Sequence, residues 1–145
     1  MAVADFYDAY YDALVKGNNE IMKAYGKKTW LIPDNYLNSV SLNDWNSHES
    51  ICVLNTSDCD AHISLTLYFE DREKRDDFKS ECKAGRAHHI RLDKIRSVGG
   101  EKIPRDVPYA ILLESDVPLV VQYSRLDTSR RELALMTTMA YPVEE

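Results

Sequence analysis

The sequence predicts an all-β protein: an antiparallel, jelly-roll-like β-sandwich of about eight strands, preceded by a short N-terminal helical extension. Three observations lead there. Residues 61–70 alternate strictly, with Ile63, Leu65, Leu67 and Phe69 on one face and His62, Ser64, Thr66, Tyr68 and Glu70 on the other, the period of a strand with one buried side. Turn-forming clusters recur between short apolar runs: Asn55–Asp58, Ala84-Gly85, Gly99-Gly100, Ser115–Pro118 and Asp127–Ser129. The first residues depart from both patterns.

Taken in order, residues 1–25 read as helix. Phe6, Tyr7, Tyr10, Tyr11, Leu14 and Val15 recur at three- and four-residue spacings, which makes one apolar stripe. Gly17-Asn18-Asn19 interrupts it, residues 20–25 add a further turn or two, and Gly26 ends it. A helix this short is marginal alone, so its tyrosines need burial against their own body or a neighbouring subunit. The β domain then occupies residues 26–145, with strands expected at 28–32, 50–55, 61–70, 78–83, 86–93, 109–114, 118–126 and 132–141. The last, ELALMTTMA in its first nine residues, also suits a helix and is read as a closing strand. Residues 70–81 hold six acids and four bases, as an exposed turn and a charged edge strand would.

Composition narrows the function. With 145 residues the chain is one domain; 44% hydrophobic and 29% charged residues exclude a disordered tail and a coiled-coil rod. A net charge of −6 gives no general attraction to DNA or to an anionic membrane. Within it, residues 81–105 form a basic stretch of seven Lys/Arg against three acids. The first residues lack the basic start and apolar run of a signal peptide, and no apolar run is long enough for membrane insertion. The three cysteines, Cys52, Cys59 and Cys82, are an odd set without CxxC spacing, which fits thiols in a reducing cytoplasm. Cys52, within ICVLN, reads as a buried thiol and Cys59 as an exposed one.

No nucleophile elbow, P-loop, GxGxxG or HExxH is present, so no enzyme and no cofactor are expected. His88-His89 point to opposite faces of a strand and do not chelate one ion together; no metal site is expected. Two polar runs remain. Ser47-His48-Glu49 reads either as a hydrogen-bonded strand-start turn or as a polar rim for a small ligand. Gln122, Arg125 and Asp127 lie near a strand end, where an Arg–Asp pair serves structure, a subunit contact or a ligand clamp. Trp30 and Trp45 are either core residues or stacking platforms.

The stretches Gly26–Trp30 with Ile32-Pro33, Ser47–Asn55, Asp60-Ala61-His62 with the strand that follows, His89–Leu92, and Ile103 through Asp127 to Ala140-Tyr141 together resemble the sensory rhodopsin transducer family. The resemblance covers about residues 26–142; residues 1–25 have no counterpart, and 33–46 differ from the family's Pro/Gly-rich loop. It implies a β-sandwich assembled as a homo-oligomer, a tetramer, without enzymatic chemistry. It also implies a cytoplasmic protein that binds a sugar or sugar-derived small molecule; the alternative is a signalling adaptor with a protein partner. Nucleic acid is not an expected partner. The ligand-binding residues carried over from the matching motifs are Trp30, Ser47, His48, Glu49, Asn55, Gln122, Arg125 and Asp127.

Overall fold

A computed structural model describes residues 22–42 and 44–144. The expected N-terminal helix lies outside the described residues, except for 22–25, which are not helical. The eight strands are β1 (Lys27–Tyr36), β2 (His48–Asn55), β3 (Ala61–Phe69), β4 (Arg75–Cys82), β5 (Arg86–Arg91), β6 (Pro108–Asp127), β7 (Ala134–Met139) and β8 (Tyr141–Pro142). All pairings are antiparallel. No helix among the described residues is long and apolar enough to cross a membrane.

The architecture is a sandwich whose two sheets share β6. One sheet has the order β4-β3-β6-β1-β8 and uses residues 108–115 of β6, with Leu119 paired to Lys27 beyond them. The other joins β5, β2 and β7 to residues 120–127 of the same strand. In place of the two strands and the turn expected at Ser115–Pro118, residues 108–127 form one strand of 20 residues. Its parity explains why. Tyr109, Ile111 and Leu113, then Leu119, Val121 and Tyr123, are all buried, so the odd residues face the core without a break on either side of the supposed turn. A strand that passes between sheets bends there instead of reversing.

Two contacts seat that bend. Gly26 has φ of +101°, and a Cβ there would lie 1.8 Å from the Leu119 carbonyl oxygen, so only glycine permits this approach. Trp30 Nε1 donates to the carbonyl oxygens of Lys27 and Leu119 at 2.9 and 3.1 Å. Beneath lies the core, built from Ile51 and Val53 of β2, Ile63, Leu65 and Leu67 of β3, Phe78 of β4 and the odd residues of β6. Cys59 is exposed, as expected; Cys52, expected to be buried, is not. Cys82 is buried and Cys52 only half-buried, because Ile51 and Val53 take the inward parity of β2.

Asp116, inside the supposed turn, ties β6 to the start of β3. It accepts from the His62 backbone N–H and from His62 Nδ1, both at 2.7 Å. The hydrogen bond and charge of Asp116 raise the His62 imidazole above its ordinary 6.5; the two His62 bonds lower the Asp116 carboxyl. The histidine's contribution is therefore fully present at pH values below about 6.5 and fades as pH rises through the raised value. Both groups are exposed, so its effect on stability is small. The expected outcome in an NMR titration is a His62 midpoint above 6.5 that falls to the ordinary range in Asp116→Asn; an unchanged midpoint would refute the pairing.

Candidate functional site

In β2, Glu49, Ile51, Val53 and Asn55 are buried alternate residues, so the parity that builds the core also drives a carboxylate into it. Glu49 is fully buried. A carboxylate there is costly unless it is paired and hydrogen-bonded. Its Oε1 accepts from the Tyr36 backbone N–H at 2.8 Å and from the Tyr123 hydroxyl. Its Oε2 accepts from the Tyr109 hydroxyl. Arg125 Nε stands 3.5 Å from Oε1 and donates to Tyr123 Oη at 2.9 Å. Arg125 faces Glu49 across the β2–β6 ladder, and its Nη2 reaches Asp34 at 3.3 Å to the carbonyl and 3.4 Å to Oδ1.

The tyrosines respond as buried phenols beside an anion. Desolvation, then the Glu49 charge, pushes Tyr109 well above its usual range, and the same two causes raise Tyr123. Both remain protonated donors at physiological pH. Burial alone would lower the Arg125 guanidinium, but the Tyr123 hydroxyl, Glu49 and Asp34 outweigh it and the net direction is upward. The cluster is thus a fixed carboxylate with its donors already engaged.

One buried group nearby is different. The ladder between β1 and β6 shifts register between Ile32 and Asn35, a bulge that leaves Asp34 exposed and Asn35 buried. Neither the amide nitrogen nor the oxygen of Asn35 has a hydrogen-bond partner among the described residues.

The other nominated residues lie apart. Ser47 is buried; its Oγ donates to the Val40 carbonyl at 2.8 Å and accepts from the Thr128 N–H at 2.9 Å, so it pins the preceding loop to the end of β6. Asn55 is buried at the other end of β2, where Nδ2 donates to the Cys59 and Cys82 carbonyls and Oδ1 accepts from Ser57. Asp127 accepts from the Ser129 N–H at 2.8 Å in a local turn, and these Ser129 contacts lower its carboxyl. Gln122 is half-buried opposite Cys52 and Met139. Trp30 is 5% exposed, whereas Trp45 is 65% exposed.

Of the eight, then, Glu49 and Arg125 meet directly, and Ser47 and His48 precede Glu49 in the chain. Half-buried His48 donates through Nδ1 to the Asn46 carbonyl at 2.8 Å and borders a depression of about 330 Å³ with Trp45, Arg91 and Asp93. Arg91 and Asp93 already pair bidentately at 2.8 and 2.9 Å. Sequence reasoning missed Tyr109, Tyr123, Asp34 and Asn35. The unbroken odd parity of β6 was the available signal for the tyrosines; nothing local signalled the bulge that sets Asp34 and Asn35.

On the outside, every residue of β7 is exposed. Leu31, Leu135, Met136, Met139 and Tyr141 are exposed apolar side chains, and an apolar cavity of about 390 Å³, lined by all of them but Leu135, lies between β1 and the β7–β8 corner.

The chain matches the family model ASRT, Anabaena sensory rhodopsin transducer, over residues 25–142. The crystal structure of Thermotoga maritima 1070 is similar, at 39% sequence identity and a TM-score of 0.73, covering 82% of this chain and 97% of that one. The structure of Anabaena sensory rhodopsin transducer is 32% identical with a TM-score of 0.65, covering 72% of this chain and 92% of that one. Among curated proteins, none matches.

The Glu49 cluster predicts a graded loss of stability. Glu49→Ala removes the acceptor of the Tyr36 N–H and of two tyrosine hydroxyls and one of the two carboxylates beside Arg125, and is expected to cost about 3–5 kcal/mol, a fall in Tm on the order of 10 °C. Tyr123→Phe is expected to cost about 1–2 kcal/mol. Thermal unfolding followed by circular dichroism checks both, and a Glu49→Ala protein as stable as wild type would refute the assignment.

Proposed function

The chain belongs to the Anabaena sensory rhodopsin transducer family, and on that premise we propose that it is a non-enzymatic adaptor that works by presenting strand edges and faces to a protein partner. One observation carries this reading. Trp30, Ser47, Glu49 and Asn55, four of the eight residues expected to bind a ligand, are buried and spend their polar atoms on internal partners. Much of what faces outward is sheet edge and apolar surface. The adaptor acts as a homo-oligomer, a tetramer in the cytoplasm. The exposed edge strand β7 supports the oligomer, because an edge without charge or proline and with exposed Leu135, Met136 and Met139 invites pairing.

A sugar ligand has a separate observation in its favour. Exposed Trp45 stands beside His48, Arg91 and Asp93, an aromatic face next to hydrogen-bonding groups. It is the second reading, since the depression is small and its Arg–Asp pair is already closed.

Three measurements test these readings. Light scattering coupled to gel filtration is expected to give the mass of a tetramer, and Leu135→Lys with Met139→Lys is expected to dissociate it; a monomeric wild type would overturn the oligomer. Immobilised wild-type protein is expected to retain a discrete protein in stoichiometric amount from native membranes or soluble extract, and calorimetric titration with a panel of sugars is expected to give no heat. Retention of nothing, together with a sugar heat abolished by Trp45→Ala, would replace the adaptor by the sugar-binding reading.

A further inference from the structure

Between β4 and β5 the chain crosses from one sheet to the other through Lys83, Ala84 and Gly85. The two strands follow each other in sequence yet share no ladder. β4 pairs with β3, and β5 with β2. They approach at the corner, where Cys82 Sγ donates to the Arg86 carbonyl at 3.3 Å. The seam opens into a depression of about 680 Å³ lined by Lys79, Lys83, Arg86, His62, His88 and Glu81, among others. Residues 86–89 of β5 are all exposed, and one backbone edge of that strand is unpaired in the sheet. Three cations of the seam come from two strand edges and the link between them; two of them belong to the basic stretch of the sequence.

The cations are not equally engaged. Lys83 is neutralised by Asp60 at 3.0 Å and Glu81 at 3.1 Å. Lys79 Nζ donates to the uncharged Ser64 Oγ at 2.8 Å, and Arg86 Nη1 to the Gly85 carbonyl at 3.1 Å. No salt bridge to a carboxylate is found for Lys79 or Arg86 among the described residues. On a chain of net charge −6, this is a local reversal of sign beside an open strand edge.

We propose that the β4–β5 seam binds an extended acidic segment of a partner protein. The segment adds to the free edge of β5 through main-chain hydrogen bonds, and its carboxylates meet Lys79 and Arg86. Arg86 offers the planar fork that carboxylates accept best. Edge lysines also discourage unwanted strand pairing; an acidic strand is the one kind that such an edge attracts instead of repelling. The inference rests on the adaptor reading and names the chemistry of its partner.

The test uses the full chain and a fluorescent peptide of about eight residues alternating Glu and Val, long enough to span an edge strand. The Lys/Val counterpart and a thymidine oligonucleotide of equal length are the controls. The acidic peptide is expected to bind, to weaken as salt rises, and to lose about tenfold or more in affinity in Lys79→Glu/Arg86→Glu. The milder Lys79→Gln/Arg86→Gln, which introduces no repulsion, should lose affinity as well, while circular dichroism confirms that both variants are folded. NMR shifts on binding should centre on residues 86–89. No binding of the acidic peptide, undiminished binding by folded variants, or tighter binding of the oligonucleotide would each overturn the proposal. The native-extract experiment separates the two readings: a partner retained equally by wild type and Lys79→Glu/Arg86→Glu overturns the seam and leaves the adaptor, whereas a wild type that retains nothing overturns the adaptor while the peptide still reports on the seam.

Discussion

Glu49 is the constraint around which the rest is arranged. It sits fully buried, and a lone carboxylate there would be untenable. Its partners come from different parts of the sandwich: Tyr36 from β1, Tyr109 from the half of β6 in the first sheet, and Tyr123 and Arg125 from the half in the second. Satisfying this one group therefore sets how the two sheets face each other. An apolar core tolerates sliding of one sheet over the other more readily than a carboxylate with four directed partners does. The low dielectric that makes the group costly alone also strengthens every bond it makes.

That arrangement depends on β6 being a single strand. Were residues 115–118 a turn, Tyr109 and Tyr123 would belong to separately placed strands. Instead they share one parity across 20 residues. Gly26 and the Trp30 indole hold the place where the strand leaves the first sheet. A side chain at position 26 would push on Leu119, four residues from the hydroxyl that caps Glu49. Backbone packing at one corner and electrostatics in the interior are thus linked through one strand.

The consequence for function is a division between inside and outside. Several of the polar residues that look like a ligand rim in the sequence, Ser47, Glu49 and Asn55 among them, hold the sandwich together, and much of what is left for partners is edge. β7 offers an uncharged apolar edge; the β4–β5 seam offers a charged one. Two edges of opposite character suit a protein that assembles with copies of itself through one surface and meets a different protein through another. Among the described residues, the side-chain amide of Asn35 beside the β1 bulge is buried without a hydrogen-bond partner.

Much of this was legible in the residues. Alternation at 61–70 placed Ile63, Leu65 and Leu67 inward, and the turn clusters marked most strand ends, because strand parity and turn chemistry are local properties. The same parity ran through 109–125, but Ser115–Pro118 carries turn-type residues, and local propensity gives way when a strand is paired on both sides. Ser47, His48 and Glu49 were recognisable as a polar run; whether each side chain faced solvent or core was not, since that depends on which face of β2 the opposing sheet covers. The residues alone establish an antiparallel β-sandwich, its apolar faces and the family to which it belongs. The three-dimensional pairings place Glu49 in the interior with two tyrosines and half-buried Arg125 beside it, leave Trp45 and not Trp30 exposed, and set which strand edges stay open, because burial and edge exposure arise between residues far apart in the chain.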